Sequence, residues 1–507
     1  RKTSLTLLGM YMYTPGEGTA SQYPRVGTLS LDPYGRISRS TFIGEPNWNK
    51  MGEKDAMFEY QFKHEFNKFI NFSQTFRWED SDRHQEDTYL RTGALTPTIS
   101  PVQPMNYYTN TNTIGMDARL FGKFNIGSTT HTWIVGSDFR HYDYSSHYVY
   151  DKTTSPSVNV YEPSCNYTPC YTWNHAGCQI NGWEYNTSYF QEGVYFQDQI
   201  KWKGLSVILG GREDWVNYQL GTNAGYTNIN TSNVKTLTYS TPWAPQHAFT
   251  WRAGLIYQFK FGLAPYFSYS TSFIPQAGTR NYLLQPFSPL TGKQMEAGLK
   301  YKVPNKEIML TAAAFHIDEN HYLITDLEHP NYSADAGRVR SQGFEVAANA
   351  NVTKNLRVLA SYSYTDMRYA KTNLSATRFS LATSALYGNV VSESGMAVPY
   401  VPRNMMSAFV DYTFPSHIMK GFGVNFGARY TGFTYADNVE SFKTRPYILF
   451  DAGAHFDFGQ AFPALKGLRA QLAMSNLANT YYETRCDHYV CYLGQGRRVY
   501  GNLTYNW

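Results

Sequence analysis

Val499-Tyr500-Gly501-Asn502-Leu503-Thr504-Tyr505-Asn506-Trp507 alternates between two kinds of side chain. Val499, Gly501, Leu503, Tyr505 and Trp507 fall on one side, and Tyr500, Asn502, Thr504 and Asn506 on the other. Successive side chains of a strand point to opposite faces, so this is a β-strand with one apolar and one polar face. The pattern recurs upstream. Phe422, Val424, Phe426, Ala428 and Tyr430 alternate with Gly423, Asn425, Gly427, Arg429 and Thr431. Leu356, Val358, Ala360, Tyr362 and Tyr364 alternate with Arg357, Leu359, Ser361, Ser363 and Thr365. A soluble sandwich also has strands with one apolar face. These segments, however, run to about ten residues or more and often end in Tyr, Phe or Trp, as membrane strands with aromatic girdles do. Soluble strands average nearer five or six.

The connections follow a rhythm of their own. Short turns are expected near 65–68, 127–129, 203–204, 261–263, 304–306 and 353–355, and long polar loops over 15–53, 81–111, 145–185, 220–245, 274–291, 322–337 and 371–400. Short turns on one side and long loops on the other suit an outer-membrane barrel, whereas loops this long count against a compact soluble domain. About eighteen strands are expected by this reading. In hydrocarbon each unpaired backbone group costs several kcal/mol, so the ladder has to close. The expected fold is all-β: one transmembrane antiparallel β-barrel over residues 1–507. An even strand number places both ends of the chain on the short-turn, periplasmic side.

Composition agrees. The 507 residues are 42% hydrophobic with a mean hydropathy of −0.45, and apolar runs such as 310–315 fall far short of the ~18 residues of a membrane helix. Helical membrane proteins are excluded. There are 43 Tyr, 31 Phe and 10 Trp, 17% of the chain, beside 16% charged residues, where soluble proteins carry about 25% charged. The net charge of +5 comes from 44 Lys and Arg against 39 Asp and Glu, without long basic blocks, so nucleic acid is not a partner. No signal sequence precedes Arg1, and the mature N-terminus is expected to lie elsewhere. Cys165, Cys170 and Cys178 cluster in one polar stretch, and Cys486 and Cys491 in another. Close pairs flanked by turn residues read as local disulfides in an oxidising compartment.

Several motifs occur in a fixed order. Gly193-Val194-Tyr195-Phe196-Gln197-Asp198-Gln199 precedes Leu209-Gly210-Gly211-Arg212-Glu213-Asp214, then Pro265-Tyr266-Phe267-Ser268-Tyr269-Ser270 and Lys293-Gln294-Met295-Glu296-Ala297-Gly298-Leu299-Lys300-Tyr301. Gly343-Phe344-Glu345-Val346, Val401-Pro402-Arg403-Asn404, Gly427-Ala428-Arg429-Tyr430-Thr431-Gly432 and Asn476-Leu477-Ala478-Asn479-Thr480-Tyr481-Tyr482 follow. In this order and spacing they resemble the barrel of TonB-dependent siderophore receptors, most closely the ferrichrome and ferrioxamine (hydroxamate) branch. The two-cysteine loop at Cys486 and Cys491 resembles that branch in particular, one residue shorter.

The resemblance implies a full barrel of roughly 22 strands preceded by a plug and a TonB-contacting box. Arg1 aligns near the fifth barrel strand, so plug, box and about four strands are expected to be absent from this sequence. It implies TonB-dependent active uptake of a ferric siderophore, with a ferric hydroxamate as the expected cargo, across the outer membrane of a Gram-negative bacterium. Implied partners are the siderophore, the TonB complex, outer-membrane lipid and lipopolysaccharide, and phage or bacteriocins at the loops. No cofactor is implied; iron enters only as cargo. The rival readings are a passive porin, a receptor for a catecholate, cobalamin or haem, and an outer-membrane enzyme.

Aromatic side chains suit a hydroxamate chelate because they offer flat apolar area with one hydrogen-bond donor. By the resemblance, Tyr23 falls in the first aromatic binding loop and Tyr89 near a second. Asn159-Val160-Tyr161-Glu162-Pro163 leads into Tyr171 and Trp173, and His488, Tyr489 and Tyr492 lie on the disulfide loop. Packing or girdle positions are the bland alternative for each. Cys165, Cys170, His175 and Cys178 do not have common structural zinc spacing, so a loop disulfide of open pairing is expected and no metal site. Glu79, Asp80, Asp82, Glu86 and Asp87 read as a solvated loop, lacking the glycine turns of a calcium loop. No G-x-S-x-G, H-E-x-x-H or P-loop is present, and no enzyme activity is expected.

Overall fold

Phe426 in the strand Phe422–Thr431 stands opposite Val410 on one neighbour and Ala452 on the other; Ala452 faces Met474, and Met474 faces Val499. One row of apolar side chains thus crosses five strands. The opposite face carries the polar set. Arg429 donates to Asp451 at 2.7 and 2.9 Å, and the His455 ring lies 3.1 Å from Asp411. The two faces separate as the alternation predicts, which fixes the register. Both faces of Arg498–Tyr505 are exposed, including Val499, Leu503 and Tyr505.

The computed structural model describes residues 2–16, 22–91, 97–151, 156–163, 180–224, 237–240, 243–276, 280–283, 285–326 and 332–506. The chain divides into two compact units, residues 1–254, 270–293 and 320–335, and residues 255–269, 294–319 and 336–507. In the first, Thr3–Gly16, Lys50–Glu65, Asn71–Leu90, Ser100–Ile126, Thr129–Asp151, Ile180–Trp202 and Leu205–Ala224 pair in sequence as an antiparallel ladder. In the second, Arg338–Asn351, Leu356–Lys371, Asn404–Thr413, Phe422–Thr431, Tyr447–Asp457, Leu468–Ser475 and Arg498–Tyr505 do the same. Four more strands, Ala244–Tyr257, Leu263–Ile274, Leu290–Lys302 and Ile308–Asn320, have residues in both units. Among the described residues these eighteen long strands match the expected number. Helix among the described residues amounts to the four-residue turns Ser416–Met419 and Phe458–Ala461 and a 3-10 turn.

The turns expected at 127–129 and 203–204 are two-residue connections, Ile126 to Thr129 and Trp202 to Leu205. Gly127 and Lys203 have φ of 55° and 51°, the left-handed conformation that a tight hairpin requires.

The long loops differ from expectation. Five consecutive strands run 20, 27, 23, 23 and 20 residues, about twice the ~9–11 needed to cross a bilayer. Residues 81–90, 100–111, 145–151, 180–185 and 220–224, read as loop from sequence, are paired strand. The acidic run is also strand and not a solvated loop: Asp80 accepts from Asn112 at 3.0 Å, and Asp82 from Tyr108 and Asn110 at 2.7 Å each. Beyond the hydrocarbon both faces can be polar, so the hydropathy alternation fades while the backbone ladder continues. Two other expected loops are folded as well. Residues 22–49 enclose Ile37 and Ile43, both fully buried, with Tyr23, Leu29 and Trp48, and the 371–400 segment contains the hairpin Ser375–Ser380 with Ala385–Ser392.

Candidate functional site: a tyrosine wall above an arginine cluster

Orientation in the first unit follows from its rows. Phe58, Trp78, Ile114, His141 and Phe190 form one outward row, and Leu7, Tyr60, Phe76, Met116 and Phe139 the next. Such aromatic and aliphatic rows face lipid in a membrane strand. The functional groups lie on the other face.

At the level of the membrane that face is organised by Arg212. Its guanidinium donates to both oxygens of Asp138 at 2.6 and 2.8 Å and to Asp214 at 2.7 and 2.6 Å. Gln191 adds a 2.6 Å bond to Asp214, and Tyr195 donates to Asp117 at 2.5 Å. The planar fork of arginine matches two carboxylates at once, which a lysine cannot do. Gly193 stands directly opposite Asp214, and a Cβ there would overlap the Arg212 guanidinium. The two sequence motifs that contain Gly193 and Arg212 are thus halves of one cluster.

Above it the same face becomes a wall of tyrosines. Tyr142, Tyr144, Tyr148 and Tyr150 lie at alternate positions of Thr129–Asp151; Tyr107 stands opposite Tyr148 on one neighbour, and Tyr189 opposite Tyr142 on the other. Rings pack at centroid distances of 6.2 Å (Tyr142 and Tyr144), 6.0 Å (Tyr107 and Tyr148) and 5.8 Å (Tyr148 and Tyr150). The hydroxyls form chains. Tyr107 and Tyr144 share a 2.9 Å bond, Tyr148 donates to Tyr89 at 3.4 Å, and Tyr89 donates to Gln103 at 2.8 Å. Tyr189 donates to Gln191 at 2.6 Å, joining the wall to the Arg212 cluster. Burial raises the phenol pKa of Tyr89 and Tyr148, and burial together with the Tyr107 hydrogen bond raises that of Tyr144 to about 12. The wall therefore presents neutral hydroxyls and ring faces, and not phenolates that would compete for a metal ion.

A second aromatic cluster lies in the loops of the other unit. Cys486 and Cys491 are disulfide-bonded with Cα atoms 4.0 Å apart, slightly inside the usual ~4.4–6.8 Å, and close the hairpin Glu483–Cys486 with Val490–Leu493. His488 at its tip stacks on Phe379 at 4.5 Å and bonds Asp437 at 2.7 Å. Burial works against the Asp437 charge, but hydrogen bonds from His488 and Ser441 outweigh it and hold the carboxyl below its usual pKa. That contribution to stability is present at neutral pH and is lost only as pH falls through the depressed value. Glu393, fully buried with Asn438 at 3.4 Å, is shifted up by burial. A raised folded-state pKa favours folding below the unfolded value and loses that advantage as pH rises. Glu393→Gln is therefore expected to slow amide exchange in residues 433–444 at pH 7 and to leave it unchanged at pH 4; no difference between the two pH values would refute the assignment. Cys486→Ser with Cys491→Ser should cost about 2 kcal/mol, the entropy of closing so short a loop, read as faster exchange at 486–491.

The candidates named from sequence are distributed as follows. Tyr23 is 5% exposed and donates to the Thr41 carbonyl at 2.6 Å; Tyr161 donates to the Gly35 carbonyl at 2.8 Å. Tyr89 belongs to the wall. His488 and Tyr489 meet at Phe379, and Tyr492 lies under Arg485 at 5.6 Å. Tyr171, Trp173, Cys165, Cys170, His175 and Cys178 lie outside the described residues. Among the described residues no group of three or more His, Cys, Asp or Glu side chains gathers as a metal site. Sequence reasoning missed Tyr107, Tyr142, Tyr144, Tyr148, Tyr150 and Tyr189. The signal was present in Tyr142-Asp143-Tyr144 and Tyr148-Val149-Tyr150, where tyrosines two apart share one face of a strand.

Residues 2–477 match the family described as TonB dependent receptor-like, beta-barrel, and the chain belongs to that family: its strands are those of an outer-membrane antiparallel β-barrel. It is 29% identical over 530 residues to the ferrichrome outer membrane transporter/phage receptor of Escherichia coli (strain K12), covering 99% of this chain and 65% of the relative. It is 28% identical over 514 residues to the ferrioxamine B receptor of Salmonella typhimurium (strain SL1344), covering 99% and 66%. The chain thus spans just under two thirds of the length of these relatives. Among solved structures the fold resembles the ferric-catecholate import receptor Fiu from K12 E. coli in its closed form, with a TM-score of 0.79 and 19% identity over 99% of this chain and 72% of that one.

Proposed function

We propose that the chain forms the barrel of a receptor that imports a ferric siderophore across the outer membrane by coupling to TonB, with a ferric hydroxamate as cargo. The tyrosine wall is the observation that carries this reading. A hydroxamate chelate hides its metal behind carbonyls and methylenes, and stacked rings with neutral hydroxyl donors bind such a surface without removing the metal. A passive pore needs no such wall. A trianionic catecholate complex calls for dense Arg and Lys, whereas the wall is seven tyrosines with a single arginine, Arg140, over the Tyr142 ring at 5.8 Å. The receptors named for ferrichrome and ferrioxamine support the same cargo class. Tyr23, Tyr161, Tyr171, Trp173, His488, Tyr489 and Tyr492 are proposed as further loop contacts, and no catalytic step is proposed.

Titration of the purified full-length receptor with ferrichrome, a ferric ferrioxamine and a ferric tricatecholate tests the reading. Tightest binding should go to a ferric hydroxamate, with the metal-free siderophore at least tenfold weaker. Tightest binding of the catecholate would overturn the cargo class, and failure of every chelate to bind would overturn the receptor reading.

A further inference from the structure

The hairpin Ser375–Ser380 with Ala385–Ser392 lies in the long connection between Leu356–Lys371 and Asn404–Thr413. Its sequence Phe379-Ser380-Leu381-Ala382-Thr383-Ser384-Ala385-Leu386-Tyr387-Gly388-Asn389-Val390-Val391-Ser392 has no charged residue between Arg378 and Glu393. The other loop hairpins carry charge in their strands: Asp335 in Ser333–Asp335, and Glu483 and Arg485 in Glu483–Cys486. The two strands of the uncharged hairpin are not equivalent. Ser375–Ser380 is anchored. Phe379 is 2% exposed, stacks on His488 at 4.5 Å, lies 6.2 Å from Phe442, and donates its N–H to the Ser441 hydroxyl at 2.9 Å. Ala385–Ser392 is the outer strand, exposed throughout except for the partly buried Val391.

The two strands form a sheet of their own, and among the described residues no backbone bond reaches the far edge of Ala385–Ser392. Leu386 stands opposite Phe379, and Val390 opposite Thr377, so both share the face of the buried ring. They are 59% and 65% exposed, and Tyr387 on the other face is 50% exposed. An open edge is a row of unpaired N–H and C=O groups, and another extended backbone is what satisfies such a row in register. Proteins guard their edges with charge, Pro or bulges. Of these devices the outer strand has only a bulge. The register shifts between Thr377 and Arg378 and leaves Gly388, at φ 75°, and Asn389 unpaired. The bulge divides the edge into Ala385–Tyr387 and Val390–Ser392 without closing it.

We propose that the outer edge of Ala385–Ser392 is a docking site for an extended, uncharged segment of a second protein, added to the hairpin as a third strand. Backbone bonds along the edge supply affinity. Alternate side chains of the incoming strand cover Leu386 and Val390 on one face and Tyr387 on the other. The uncharged run from Phe379 to Ser392 suits an apolar strand and gives an acidic or basic peptide nothing to pair with. The edge is separate from the tyrosine wall, and its role does not rest on the siderophore reading.

The test uses the full-length receptor in detergent and two short capped peptides in which valine and threonine alternate. In the second peptide the central amide nitrogens are methylated, which removes backbone donors and keeps the side chains. Hydrogen exchange followed by mass spectrometry reads residues 385–392. The first peptide should slow the fast-exchanging amides there about tenfold, and the methylated peptide should leave them unchanged. Leu386→Lys and Val390→Lys place on the edge the charge that natural edges carry, and each should weaken peptide binding about tenfold. Unchanged exchange at 486–491 in these variants checks that the contact between Phe379 and His488 is intact. Four results would each overturn the proposal. Full protection of 385–392 in the receptor alone would mean that its own chain covers the edge. Concentration-dependent dimerisation lost in Leu386→Lys would assign the edge to a second copy. Equal protection by both peptides would mean contact without strand addition, and no protection by the first would mean that the edge accepts no strand.

Discussion

Arg212→Ala is expected to lower the stability of the barrel by about 3 kcal/mol, the low end of the range for breaking a buried ion pair. The low end applies because the arginine side chain is 28% exposed while that of Asp214 is only 5% exposed. The loss comes from what is left behind. Asp138 and Asp214 would face one another without the guanidinium that bonds both. Arg212→Lys should recover little, since one ammonium cannot reproduce four directed bonds. Adding Asp138→Asn and Asp214→Asn to Arg212→Ala should restore part of the loss by removing the orphaned charges. Heat- or denaturant-induced unfolding in detergent measures all three variants. A change below about 0.5 kcal/mol for Arg212→Ala would mean that water satisfies the two carboxylates and that the cluster is not structural.

Tyr144→Ala combined with Tyr148→Ala should weaken binding of the preferred chelate by about 2–4 kcal/mol, roughly 30- to 1,000-fold, if the wall supplies its aromatic anchors. The single Tyr→Phe variants keep the ring and lose one hydrogen bond, so each should cost about 0.5–1.5 kcal/mol. The contrast between the two series separates ring contact from hydroxyl donation. Tyr23→Ala tests the loop contact proposed for Tyr23, whose ring would have to bind through its face because its hydroxyl is already donated to the Thr41 carbonyl. Isothermal titration of the full-length variants decides the matter. Normal binding by the double variant would remove the wall from the site and leave the loops as the remaining candidates.

The fold was legible where one face meets hydrocarbon. Leu356–Lys371, Phe422–Thr431 and Arg498–Tyr505 could be read, face by face, from alternation alone, and their registers agree with that reading. Legibility failed where both faces meet water. In Asn71–Leu90 the outer half reads Asp80-Ser81-Asp82-Arg83-His84-Gln85-Glu86-Asp87, which has no apolar face to declare a strand, yet each residue is paired with Ser100–Ile126. The candidate site suffered from the same cause. Tyr142 to Tyr150 lie in this water-facing extension, so assigning 145–185 to loop concealed that they form a single surface. The Arg212 cluster was half legible. Its two motifs were visible, but the contact between Gly193 and Arg212 depends on a pairing of strands that no local pattern states. Loop packing, such as the burial of Ile37 and Ile43, arises from tertiary contacts and had no periodic signal.

The extension of the ladder beyond the membrane has a consequence for how such a receptor can diverge. Tyr142, Tyr144, Tyr148 and Tyr150 share a face only because each is an even number of residues from the others within a paired strand. Deleting one residue at Arg140 or His141 would turn all four toward the exterior and bring Asp143, Ser145 and His147 inside. A flexible loop of the same composition would absorb that deletion with little effect. The recognition surface is therefore open to drift by exchange of side chains, position by position, but closed to drift by changes in chain length. New cargo preferences arising here should appear as substitutions at every second residue, with insertions and deletions confined to the connections between strands.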